Sequence, residues 1–313
     1  MAKPRLDYFD IAKLLAIIVV IYGHCIQHYL DHSPLLSTVY LLIYSFHMPL
    51  FMLISGYFSY NSLKLSFKSF IKKKSVQLLL PYVSWQILSI IVKFFLNDID
   101  AGSIIRYDFW FLISLYICSL LGWCLCHLQR PYQVIFLLLT LIITQVSLFR
   151  LKDMYPCFLL GLLLFNKEKV VFTDKKYLCI ISFVLYCVLA YFTLDENFFN
   201  VDFTFNGILK QLNIIIVGVS ASIFIIKICQ YVETNIPSFI KKVGQQTLVI
   251  YLIQSILFTI TKDIINFSNV SQVILYLLIF PLIVMLFCII SLSVISLINH
   301  SSVCSLLLLG KKI

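Results

Sequence analysis

Apolar residues in this chain come in long unbroken runs, without the alternation of a half-buried strand or the one-faced stripe of a surface helix. A helix needs about 20 apolar residues to cross the hydrocarbon core of a bilayer. Runs of roughly that length cover 8–30, 35–59, 76–96, 108–128, 132–149, 154–166, 177–194, 207–230, 247–266 and 271–299. The sixth is short, and Pro49 lies inside the second. Backbone groups in lipid must be satisfied within the segment, which favours helices. The pattern predicts an all-α, polytopic membrane protein of about ten transmembrane helices.

The polar breaks between runs carry an orientation. Lys3 and Arg5 precede the first run; Lys64, Lys68, Lys72, Lys73 and Lys74 follow the second. Arg130 follows the fourth, Lys167, Lys169, Lys175 and Lys176 the sixth, Lys241 and Lys242 the eighth, and Lys311 and Lys312 close the chain. Asp98, Asp100, Asp195, Glu196 and Asp202 fall in the odd-numbered breaks. Lysine and arginine stay on the cytoplasmic side, so both termini are expected there. The first run exceeds a signal-peptide core and no A-x-A site follows it, so it is expected to remain as a first membrane helix. No repeat and no long hydrophilic insert interrupts the series. Residues 1–313 are therefore read as a single transmembrane domain.

Composition sharpens the exclusion. Of 313 residues, 61% are hydrophobic and 12% are charged, about half the charged share of a soluble domain. That rules out soluble, disordered, collagen-like and disulfide-scaffold classes. The net charge of +10 sits in short breaks and forms no continuous basic face for a duplex, so no nucleic-acid partner is expected. The ten cysteines lie almost entirely within apolar runs, with no C-x-x-C pair or Cys/His zinc spacing. They read as small buried apolar residues.

Ionisable groups inside a bilayer are functional candidates by default. The first run opens Asp10-Ile11-Ala12-Lys13 and continues to Gly23-His24. Lys13 and His24 are three helical turns apart, on one face and separated by about 16 Å along the axis. Asp10 is within ion-pair reach of Lys13 on the same stripe. Interfacial snorkelling of Lys13 and simple packing of His24 are the alternatives; the shared face favours function. His24, His28 and His32 also recur every fourth residue, with Asp31 adjacent and His47 on the next run. Such spacing is able to hold a metal, but the outer end of a span is ordinarily polar, and no metal is expected.

These residues carry a resemblance. Arg5-Leu6-Asp7, Phe9 to Lys13 and Gly23-His24 resemble the opening of the acyltransferase-3 family of integral membrane acyltransferases, many of which O-acetylate bacterial surface sugars. Phe46 to Phe51 with Ser55-Gly56-Tyr57 is similar to its second-helix motif. Lys72 to Lys74 through Leu79-Leu80-Pro81-Tyr82 is similar to its basic loop and third-helix entry, Trp110-Phe111-Leu112 to its fourth-helix start, and Gly244 through Leu252 to a late stretch. Two positions depart from the pattern. Lys13 stands where arginine is usual, keeping charge without the bidentate fork, and Gln254 stands where that stretch often closes with histidine.

The resemblance implies transfer of an acetyl group from acetyl-CoA to a carbohydrate hydroxyl in a bacterial inner membrane. The expected partners are membrane lipid, acyl-CoA and a carbohydrate acceptor. His24 is the candidate general base or, through a transient acetyl-histidine, a nucleophile. Lys13 would stabilise developing charge or hold the CoA arm, with Asp10 orienting it. Lys72, Lys73 and Lys74 are candidates for the CoA phosphates, beside their role in setting topology. Pro49, Ser55 and Gly56 are expected to interrupt the second helix and open a pocket, with His47 and Ser55 toward the substrate. Trp110, next to Asp108, is a candidate sugar-stacking residue or an interfacial anchor. A transporter of a small metabolite or lipid-linked sugar is the alternative class, although no inverted repeat or pair of matching broken segments supports it.

Overall fold

The computed structural model describes residues 6–30, 37–96, 109–144, 150–166, 176–195, 197–199, 204–262, 264–265, 267 and 270–311. Every regular element among these residues is a helix. In chain order they are α1 (Asp7–Tyr29), α2 (Thr38–Leu63), α3 (Phe67–Phe95), α4 (Trp110–His127), α5 (Arg130–Ile143) and α6 (Leu151–Asn166). There follow α7 (Lys176–Thr193), α8 (Phe205–Val232), α9 (Ser238–Gly244), α10 (Thr247–Thr261), α11 (Gln272–Asn299) and α12 (Ser302–Leu309).

Each of the ten apolar runs carries one helix. Among the described residues, α1, α2, α3, α4, α7, α8 and α11 are long and apolar enough to cross a membrane, and α9 and α10 form a further pair bent by 66°. At 14, 16 and 15 residues, α5, α6 and α10 are shorter than a straight crossing takes.

Two compact units make up the chain. The first comprises Met1–Val20, Ser33–Lys64 and Cys118–Gln245. Its core joins Tyr8, Phe9, Ile11, Ala12 and Ala16 of α1 to Leu50, Leu53, Ile54 and Tyr57 of α2 and to Ile226 and Cys229 of α8. Contrary to the expectation from sequence, Pro49, Ser55 and Gly56 do not interrupt α2, which is one helix from Thr38 to Leu63. Its neighbours supply the reason. Proline removes an N–H and crowds the carbonyl four residues back; here Gly218 of α8 makes the room. A Cβ at 218 would fall 2.5 Å from Pro49 Cγ and 2.9 Å from the Ser45 carbonyl oxygen. Gly56 in turn allows close approach of α6, since a Cβ there would overlap the Phe158 carbonyl. Small residues at such crossings are how membrane helices gain packing contact without a hydrophobic drive.

The second unit comprises Ile21–His32, Leu65–Ile117 and Gln246–Ile313. Within it α10 packs against α3 and α11, and α12 against the same two helices. Trp85 Nε1 donates to the Leu308 carbonyl at 2.9 Å, and Tyr22 Oη to the Tyr276 carbonyl at 2.8 Å. The basic stretch expected as a loop is helical instead: α3 begins at Phe67 and includes Lys68 and Lys72 to Lys74. Lysine is a good helix former, and hydropathy alone does not register the continuation. In both α3 and α11 a π turn (Ser75–Leu79 and Leu275–Ile279) ends two residues before a proline, Pro81 and Pro281. A widened turn there accommodates the ring and the hydrogen bond it removes.

Candidate active site

In the first unit, α1 enters with acidic residues in its opening turns, Asp7 and Asp10, where the helix dipole favours negative charge. Lys13 Nζ lies 2.6 Å from Asp10 Oδ1. Asp10 is 3% exposed and Lys13 half-buried, so the ammonium is the end of the pair that remains accessible. Lys241 Nζ meets Asp7 Oδ2 at 3.3 Å. Beside it Gly244, which closes α9, rests on the backbone of Asp10: a Cβ at 244 would lie 2.6 Å from the Asp10 carbonyl carbon. The opening motif and the late glycine stretch are therefore one packed structure, which spacing along the chain does not reveal.

His24 belongs to the part of α1 in the second unit and is half-buried. Its Nδ1 is 3.1 Å from Gln27 Oε1. In the tautomer that carries its hydrogen on Nδ1, this nitrogen donates to the amide oxygen and the lone pair lies on Nε2, the form a proton-abstracting imidazole needs. The ring stands edge-on to Phe258 of α10 at 5.8 Å, and His28 stacks on Phe258 at 5.0 Å. Tyr29 Oη and Thr261 Oγ1 are 2.6 Å apart, so this part of α1 lies alongside the end of α10. Asp31, His32 and Asp108 lie outside the described residues.

The other predicted residues are distributed over both units. His47 on α2 is buried, and its Nδ1 hydrogen-bonds the Ile43 carbonyl at 2.7 Å, with Tyr44 edge-on at 4.7 Å. Ser55, on the same helix, accepts at its carbonyl from Ser59 Oγ at 2.7 Å. In the second unit Trp110 opens α4, and its carbonyl accepts from Ser114 Oγ at 3.1 Å. Its neighbours Phe109 and Phe111 lie edge-on to Tyr251 of α10, which joins the fourth-helix and late stretches. Lys72 is exposed on α3, and Lys73 and Lys74 are half-buried.

Several polar residues escaped the sequence reading. Gln27, whose Oε1 lies 3.1 Å from His24 Nδ1, is one; its signal was an amide three residues after His24, on the neighbouring turn. Lys227 of α8 is fully buried and donates to Gln230 Oε1 at 3.1 Å. A lysine deep inside a run that is mostly apolar was the available signal. Gln211 Nε2 donates to the Lys152 carbonyl at 2.8 Å, and Lys93 is buried on α3.

Comparison with known proteins identifies the family. The Nodulation protein NolL of Mesorhizobium japonicum is 28% identical over 302 residues, which cover 84% of this chain and 79% of that protein. The protein of the same name from Sinorhizobium fredii is 27% identical over 308 residues, covering 86% and 82%. No solved structure matches the chain. The family model described as an acyltransferase domain matches residues 6–298, taking in α1 to α11 almost entirely. The chain therefore belongs to the acyltransferase-3 family and is an integral membrane acyltransferase.

Proposed function

We propose that this acyltransferase moves an acetyl group from acetyl-CoA to a hydroxyl of a cell-surface or lipid-linked carbohydrate in a bacterial inner membrane. The observation that supports the reading is the contact of His24 Nδ1 with Gln27 Oε1 at 3.1 Å, which suits an imidazole with its lone pair on Nε2, on the helix that opens the family match. An alcohol is a weak nucleophile at neutral pH, and a positioned imidazole makes it competent.

In the direct route, His24 Nε2 takes the hydroxyl proton as the oxygen attacks the thioester carbonyl. The tetrahedral intermediate collapses with cleavage of the C–S bond, and the imidazolium returns the proton to the departing CoA sulfur. In a relay, Nε2 attacks the thioester carbonyl and CoA thiolate leaves; the alcohol then opens the acetyl-histidine, freeing the imidazole, and its proton ends on the thiolate. Both routes balance without a metal or redox partner. The separation of about 16 Å between Lys13 and His24 along α1 favours Lys13 as a holder of the anionic end of CoA over a stabiliser of the reacting carbonyl. Asp10 keeps that ammonium aimed. Lys72, Lys73 and Lys74 add cationic charge for the phosphates on the side that the lysine distribution marks as cytoplasmic. His47, Ser55 and Trp110 are the proposed contacts to the carbohydrate, and residues 1–313 act as one catalytic domain.

The test is transfer by purified protein in proteoliposomes supplied with labelled acetyl-CoA and a pool of lipid-linked glycans and polysaccharide. Label on a glycan, released as free acetate by mild alkali, is expected. Absence of labelled glycan together with protein-dependent solute flux would replace this reading with transport.

A further inference from the structure

Among the described residues of the second unit, Gln254 Oε1 on α10 and Ser291 Oγ on α11 are buried oxygen atoms with no hydrogen-bond partner. Gln254 is 1% exposed and Ser291 0%. The serine departs from the habit of this chain. Ser45, Ser59, Ser114, Thr259 and Ser293 all turn their hydroxyls onto a carbonyl three or four residues earlier in their own helix. Ser291 does not, so its donor is left over. Buried polar groups are otherwise paired with few exceptions, and lipid offers no substitute.

The two atoms belong to one seam. Phe258 of α10 meets Phe287 of α11 with ring centroids 4.9 Å apart. Phe267, in the connection between these helices, packs on Tyr29 beside Thr261. The five residues from there to Gln272 reach at most about 17 Å, too few to run back along the roughly 22 Å of helix between Gln272 and Phe287. Helix α11 therefore returns antiparallel to α10. Gln254 is one turn before Phe258, and Ser291 is one turn after Phe287. Both are thus displaced from the ring contact in the same direction by about 6 Å, on the rows that face the seam. His24 stands edge-on to that same Phe258.

We infer that Gln254 and Ser291 hold a secondary amide of the substrate beside His24. Ser291 Oγ–H donates to its C=O, and Gln254 Oε1 accepts from its N–H. The N–H and C=O of an amide point in opposite directions, which matches an acceptor and a donor on facing helices that do not reach each other. The inference rests on the acyl-transfer reading and names the part of the substrate bound next to the base. Such amides occur in the pantetheine arm of acyl-CoA and in the N-acyl group of an amino-sugar acceptor.

The test is equilibrium binding of pantetheine, and separately of N-acetylglucosamine, to the full chain in nanodiscs, wild type beside Gln254→Met, Ser291→Ala and His24→Ala. Binding of one probe is expected to weaken about five- to tenfold in each of the first two variants, and to be unchanged in His24→Ala. Weakening for pantetheine alone places the amide on the donor, and for N-acetylglucosamine alone on the acceptor. Thermal midpoints are expected to hold or rise, because an orphan atom gives way to an apolar one of similar shape. Equal binding of both probes by wild type and variants overturns the proposal. So does absence of binding by the wild type, or a fall in midpoint with each substitution. Loss of acetyl transfer in His24→Ala with normal binding by Gln254→Met would remove the amide site and leave the acyl-transfer reading intact. Amide-dependent binding without any transfer by the wild type would keep the site and remove that reading.

Discussion

Replacing Gln27 by methionine removes the hydrogen-bond acceptor beside Nδ1 of His24. The Gln27 side chain is exposed, methionine has nearly its length, and both are good helix formers. The bond in question is 3.1 Å long and joins two neutral groups, so its net worth is about 1 kcal/mol. If that bond selects the tautomer with a lone pair on Nε2, its loss appears in the barrier of the proton-transfer step, and a 1 kcal/mol change slows the rate about fivefold. The ring remains against Phe258, so the rate falls without vanishing. The assay is initial rate of labelled acetyl transfer in proteoliposomes as a function of acceptor concentration. The expected result is a kcat near one fifth of wild type with KM and thermal midpoint unchanged. Gln27→Glu keeps an acceptor in place and is expected to retain most of the activity. A Gln27→Met enzyme with wild-type kcat would refute the orienting role, and one that lost stability in proportion to activity would recast Gln27 as a packing residue.

Other substitutions probe the rest of the arrangement. Asp10→Asn leaves Lys13 without its partner at 2.6 Å; since one end of the pair is buried and the other accessible, a loss of about 2 kcal/mol is expected, with a higher KM for acetyl-CoA in the transfer assay. Gly244→Ala forces a methyl into the Asp10 backbone, and a melting curve is expected to show destabilisation of about 1–3 kcal/mol. Converting Lys72, Lys73 and Lys74 to glutamine is expected to raise the KM for acetyl-CoA several-fold, leave kcat alone and flatten the salt dependence of KM.

Much of the architecture could be read from the chain because a bilayer imposes a one-dimensional rule: long apolar runs must be helices. Asp10 and Lys13 were legible for a similarly local reason, since neighbours three apart on a helix meet whatever surrounds them. Continuity of α2 was not legible. Pro49 and Gly56 read as breaks by their local chemistry, and only Gly218 and the Phe158 carbonyl, far away in sequence, turn them into packing features. The helical state of Lys72 to Lys74 was hidden because charge ends a hydropathy run without ending a helix. Gln254 and Ser291 lay inside runs recognised as apolar. That their oxygens lack partners depends on two helices packed across a seam, which no spacing along the chain encodes.

The central claim, that His24 moves the proton, is tested most directly by comparing acetyl transfer in wild type and His24→Ala at equal amounts of folded, membrane-inserted protein. General acid–base assistance contributes roughly 10²–10⁴-fold, so the alanine enzyme is predicted to fall by at least about a hundredfold while still binding acetyl-CoA. A variant that transfers acetyl groups within about tenfold of the wild-type rate would contradict the account.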